Sequence, residues 1–180
     1  MRGLWNTTKP GLGLISASLA LCLTFCQCGY RPVGKEGALP DNFTRLAIPL
    51  MENQTMEAGL EDLFTSEIRR QFLTDPRIEV VQLSDAEVVL EGKIVDLDLI
   101  TLSHDETGRV SGQRVRVGCR FQLIHRDSEK ILWRSGLLKA EEECPVTDDY
   151  LMNERYREQA LMEVAEDISE TAHELLLSGF

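Results

Sequence analysis

Catalytic equipment is what this chain of 180 residues has least of. Its three histidines, His104, His125 and His173, stand at separations that match no metal-ligand spacing, so no metal site is expected. The sequence contains no glycine-rich phosphate loop and no nucleophile elbow. Aromatic residues are few, and Tyr30, Trp133 and Tyr150 read as core or rim residues rather than ligand stackers. Met51, Met56, Met152 and Met162 form no stripe that would demand a cofactor. Asp96 and Asp98 share a strand face, but without an opposing group they read as a solvated surface rather than an acid–base pair. Basic residues are in deficit, 19 against 30 acidic ones, for a net charge of −11. General nucleic-acid binding, which draws its affinity from neutralising phosphates, is therefore excluded. The expectation is a protein that is not an enzyme and holds no cofactor.

What is present begins at the N-terminus. Met1 to Pro10 carry Arg2 and Lys9 and no acid, and the uncharged, mostly apolar stretch Gly11 to Phe25 runs into Cys26, Gln27 and Cys28. A basic start, a short apolar run and an exit segment describe a secretory signal. The run is too short for a membrane span, which needs roughly 20 apolar residues. Cys28, followed by Gly29 and Tyr30, is the candidate lipidation site at which the signal would be cut. Phe25 and Gln27 stand where a Leu and a small residue are usual, Cys26 is the second choice, and a plain secretory signal with incidental cysteines is the competing reading. Acylation would anchor the chain to a bilayer, since acyl chains contribute about 0.8 kcal/mol per buried methylene. The division expected is a signal over residues 1–27, a Gly- and Pro-containing tether over 28–43 and one domain over 44–180. Removing the signal takes two basic residues and no acid, leaving a charge of −13 on 153 residues, enough for a single core.

Along that domain, Leu46 to Leu50 reads as a first strand, with Pro49 keeping part of it off a central ladder, and Glu52 to Gln54 as a loop. Leu60, Leu63, Phe64, Ile68 and Phe72 recur at helical spacing from Gly59 to Thr74, and Asp75-Pro76 ends that helix. Ile78 to Val81 is a short strand. Val88 to Thr101 alternates, but its phase slips near Ile94, which predicts a bulge. Ser103 to Gly112 is a long hairpin loop. Val115, Val117, Cys119, Phe121 and Leu123 then alternate strictly with Arg114, Arg116, Arg120 and Gln122, the pattern of a half-buried antiparallel strand. A turn at Asp127 to Glu129 returns the chain through Ile131 to Ala140. From Asn153 to Leu177 a second helix carries the stripe Ala160, Leu161, Val164, Ala165, Ile168, Ala172 and Leu175. The fold class expected is α+β: a two-layer sandwich of a mainly antiparallel, four- to five-stranded sheet with two helices on one face.

A hairpin turning near Ser128 sets Cys119 across from about Leu137 or Leu138, and Cys144 near Gly112 and Gln113. The two thiols then lie roughly 20 Å apart at about 3.3 Å per strand residue, far beyond disulfide reach. The same hairpin carries the one feature that could bind a ligand. Arg114, Arg116 and Arg120 project together, with Arg134 or Lys139 from the returning strand. Arginine's planar fork suits phosphate, which makes these five an anion-binding candidate. The competing reading is internal: Glu141, Glu142 and Glu143 approach Arg114 and Arg116 and pair with them across the strands.

Several stretches together resemble one family. Cys28-Gly29-Tyr30 after a signal, Leu46-Ala47-Ile48-Pro49-Leu50, Glu52-Asn53-Gln54-Thr55, Gly59-Leu60-Glu61, Ala86 to Gly92 and Ile131-Leu132-Trp133 are similar in order and spacing to the lipopolysaccharide-assembly lipoprotein family LptE. The resemblance spans nearly the whole processed chain. It implies a two-layer α/β sandwich on the periplasmic side of the outer membrane, lipid-anchored there. It also implies that the chain partners and partly plugs a large β-barrel, LptD, and helps insert lipopolysaccharide at the cell surface. A compact domain inside a polar lumen would need charged outer faces, which this chain has. Two other readings stand beside it: an accessory lipoprotein that activates a cell-wall synthase or forms a secretion assembly, and a periplasmic enzyme working through Glu91, Asp96 and Asp98.

Overall fold

The longest alternating stretch builds the centre of the sheet. In the computed structural model, which describes residue 39 and residues 42–178, strand β5 (Val110–His125) buries Val115, Val117, Cys119, Phe121 and Leu123 on one face. It pairs antiparallel with β4 (Val88–His104) over almost its full length, from Val88↔His125 to His104↔Val110. The expected phase slip is a register shift between Ile94 and Asp96. The extra residue at Val95 lets Leu90 and Ile94 on one side of it, and Leu97 and Leu99 on the other, share the same face.

Three short strands complete one side of the sheet: β1 (Arg45–Ala47), β2 (Glu52–Asn53) and β3 (Glu79–Val80). β1 and β2 each run parallel to β4, and β3 runs parallel to β1. The strand expected over Leu46 to Leu50 stops at Ala47, because Pro49 interrupts it, and the segment read as a loop resumes pairing at Glu52 and Asn53 opposite Lys93 and Ile94. On the far edge of β5 the returning strand is split into β6 (Ile131–Arg134) and β7 (Leu138–Pro145). Between them Gly136 adopts φ +73°, and Ser135 exchanges bonds with Phe121: its amide donates to the Phe121 carbonyl at 3.0 Å and its Oγ accepts from the Phe121 amide at 2.9 Å. The sheet is thus mixed and seven-stranded, with a long antiparallel heart flanked by two- and three-residue parallel pieces too short to leave a periodic signal.

Both helices cover the Val115–Leu123 face. Helix α1 (Leu60–Leu73) turns Leu60, Phe64, Ile68 and Phe72 inward, with Glu61 and Asp62 in its first turn where the helix dipole favours acids. Helix α2 (Tyr150–Ser178) starts three residues earlier than the expected Asn153, because Asp149 caps it: Oδ1 accepts from the amides of Leu151 at 2.9 Å and Met152 at 3.3 Å. The stripe also ends one residue later than expected. Leu176 is buried and Leu175 is exposed, since Ile168, Ala172 and Leu176 keep the i, i+4 step that follows the inward face. Between helices and sheet, Phe64 and Phe72 are fully buried, each contributing about 2–3 kcal/mol by its removal from water. Leu39 joins the same core, so the end of the segment read as a tether is docked. The signal and Cys28 lie outside the described residues.

Candidate functional site

The face of the sheet away from the helices is where the hairpin cations stand, and cross-strand register decides what each one meets. Arg114 faces Glu143, Arg116 faces Glu141, and Gly118 faces Lys139, while Cys119 stands opposite Leu138 and Cys144 opposite Gln113. The two cysteines are buried and unbridged. Arg114 places Nη1 2.9 Å from Glu141 Oε1 and Nη2 2.5 Å from Glu143 Oε1. Arg116 reaches the other oxygen of Glu141 at 2.7 Å. Glu141 therefore bridges two guanidinium groups, and the hydrogen bond from Arg116, with the charge of Arg114 beside it, holds its carboxyl below the usual carboxylate range. The hydrogen bond to Glu143 pushes Arg114 up. These two arginines carry no surplus charge: the internal pairing is made.

Lys139 is also engaged. Its Nζ lies 3.1 Å from Asp96 Oδ2, and Asp96 lies over Gly118, where any Cβ would collide with its carboxylate. Asp96 Oδ1 is buried there with no hydrogen-bond partner among the described residues. The bulge at Val95 is what turns this acid onto its neighbour strand.

Arg120 and Arg134 are placed differently. They flank a recess of about 340 Å³ on the open face, lined also by Glu91, Lys93, Gln122 and Gly136. Gln122 faces Arg134 across β5 and β6, and Arg120 faces Lys93 across β4 and β5, so three cations converge. Glu91 accepts from Gln122 Nε2 at 2.8 Å, and Lys93 pairs with Glu52 at 2.5 Å. Arg120 and Arg134 have no ion pair among the described residues, and both are exposed. Of the five candidate cations the structure brings these two together and neutralises the other three. Lys93 was not among the candidates. It stands two residues from Glu91 in the chain, and only strand register sets it across from Glu52 on β2 and Arg120 on β5.

The remaining titratable groups serve the fold. Asp75, buried at the end of α1, accepts from Arg77 and approaches His173 Nε2 at 3.3 Å, and the Arg77 hydrogen bond holds its carboxyl down at about 2. His173 stacks edge-on against Phe72, and His125 against Phe43. Among the described residues no three His, Cys, Asp or Glu side chains gather where a metal ion could sit.

The LptE lipopolysaccharide-assembly family model matches residues 43–174, the whole sheet and nearly all of α2. The chain belongs to the LptE family. No curated protein matches it. Lipoprotein B of Nitrosomonas europaea, solved by NMR, is 19% identical with a TM-score of 0.55, covering 81% of this chain and 88% of its own. A lipoprotein of Caulobacter crescentus is 10% identical with a TM-score of 0.52, covering 72% and 89%. At these identities the likeness is one of fold, and it is the two-layer α+β fold expected. As an LptE-family chain the protein is a lipoprotein of lipopolysaccharide assembly, a family without enzymatic activity.

Proposed function

We propose that this LptE-family chain is exported, lipid-anchored through Cys28 on the periplasmic side of the outer membrane, and partnered there with an LptD-like β-barrel, where it assists assembly of the barrel and insertion of lipopolysaccharide. Within that role the Arg120–Arg134 recess takes a phosphate group of the glycolipid. The observation that carries this reading is the pair of guanidinium groups without an ion pair among the described residues, joined by Lys93, on an open sheet face whose other hairpin cations are closed off by carboxylates. A bidentate guanidinium–phosphate contact is the strongest polar contact such a surface can offer.

Co-purification of the tagged full-length chain from its native outer membrane in mild detergent tests the partner. Recovery of one large β-barrel in about equal amount supports the reading, and recovery of a cell-wall synthase or of the chain alone overturns it. The recess is tested by Arg120→Glu with Arg134→Glu. Lipopolysaccharide capture by the purified protein is expected to fall at least about tenfold, the loss of one or two charge-assisted contacts, while Arg116→Gln leaves it within about twofold.

A further inference from the structure

The recess between Arg120 and Arg134 carries a carboxylate as well as cations, and strand register sets where it stands. Glu91, Gln122 and Arg134 are cross-strand partners on one rung of β4, β5 and β6. Glu52, Lys93 and Arg120 form the next rung, across β2, β4 and β5. Side chains two residues apart on a strand share a face, so both rungs project from the open side of the sheet. The recess is therefore polarised across the strands. Acids stand on the β2 and β4 side, and guanidinium groups on the β5 and β6 side.

The two acids are not equivalent. Glu52 is taken: Lys93 Nζ lies 2.5 Å from its Oε2, and Gln54 donates to its Oε1 at 2.7 Å. Glu91 is held but not neutralised. Its Oε2 accepts from Gln122 Nε2 at 2.8 Å, while its Oε1 has no hydrogen bond and the residue no ion pair among the described residues. The Gln122 amide oxygen likewise accepts from no described group. A plain phosphate site has no use for this carboxylate, which repels the ligand the guanidinium groups attract. A positive group on the ligand, beside its phosphate, turns that repulsion into a contact.

Three kinds of positive group can be compared. A divalent cation needs several oxygen ligands, and here a single free carboxylate stands among three cations. A quaternary ammonium has no N–H and is recognised by aromatic faces. Phe121, the aromatic residue at this recess, has its ring in the core and is 3% exposed. A primary ammonium is compact and donates up to three hydrogen bonds, which matches the free oxygens of Glu91 and Gln122. Glu91 and Arg134 stand two strands apart, roughly 10 Å between backbones, and both side chains are long enough to lean inward over that gap.

We propose that the recess binds an aminoalkyl phosphate of the phosphoethanolamine type, its phosphate on Arg120 and Arg134 and its primary ammonium on Glu91 and Gln122. The inference rests on the phosphate reading of the same recess and adds the second half of the ligand. Phosphoethanolamine is carried both by decorated lipopolysaccharide and by phospholipid headgroups, and the site reads the chemistry they share.

The test titrates the full-length chain, with EDTA present, against glycerophosphoethanolamine, glycerophosphocholine and glycerophosphate, all water-soluble. The ethanolamine diester is expected to bind at least about tenfold tighter than the choline diester. Glu91→Gln should bring the two diesters within about twofold of each other while it tightens glycerophosphate. A folding defect would weaken all three, so these opposite signs identify the contact. Equal binding of the two diesters by the parent protein, or a preference that survives Glu91→Gln, overturns the proposal. So does a preference that appears only when magnesium replaces EDTA. In those cases glycerophosphate binding that is lost in Arg120→Glu/Arg134→Glu leaves the phosphate reading standing, whereas no arginine-dependent binding of any probe sinks both. Capture of lipopolysaccharide with and without phosphoethanolamine then separates the sources. Stronger capture of the decorated form supports the proposal with the glycolipid as source, and equal capture beside a retained diester preference supports it with the phospholipid headgroup.

Discussion

Asp75 shows how one buried carboxylate ties three segments. It ends α1, bonds the side chain of Arg77 and meets His173 on α2. Because its folded pKa is depressed to about 2, its contribution is fully present above about pH 4 and is lost as the pH falls through 2. Asp75→Asn is accordingly expected to cost about 2 kcal/mol at neutral pH. The gap to the parent protein should narrow in acid, which urea melts at pH 7 and pH 2.5 would read. Gly118 is required for a different reason. A side chain there would strike the Asp96 carboxylate, so Gly118→Ala should cost about 1–3 kcal/mol and release Lys139. A thermal midpoint equal to that of the parent protein would refute this. Neither role could be read from the residues, since both depend on neighbours brought close only by the fold.

At the scale of elements, the alternation of β5 and the stripe of α2 were legible, because each runs long enough for its period to stand out. The short parallel strands were not. Two paired residues carry no period, and β2 owes its pairing to Lys93 and Ile94, 41 residues away. The start of α2 lay in a cap rather than in the stripe, and Asp149→Ala is expected to cost about 1 kcal/mol and fray the Tyr150–Asn153 turn, visible as faster amide exchange there. The β5–β7 ladder offers an element-level prediction of opposite sign. Glu141→Gln removes the carboxylate shared by Arg114 and Arg116, so lipopolysaccharide capture should rise several-fold. Unchanged capture would mean that the open face near β7 takes no part.

For the molecule as a whole, the arrangement separates its surfaces. One sheet face is committed to the core under two helices, and the other carries charge. If the open face receives phosphate, capture by the whole protein should weaken as salt rises, and the Arg120→Glu/Arg134→Glu protein should show a flatter salt dependence. A salt-independent interaction would point instead to apolar contacts. The α+β class, the two helices, the central hairpin, the bulge near Ile94, the separation of Cys119 from Cys144 and the family likeness are legible in the chain, because periodicity, turn residues and motif order are properties of residues taken in line. Which cations are paired, and which are left without an ion pair among the described residues, is set by the fold. Arg114, Arg116 and Arg120 sit on one face by the same alternation, yet two face glutamates and one faces Lys93. That difference is set by register between strands, and a one-residue slip would reassign every pair.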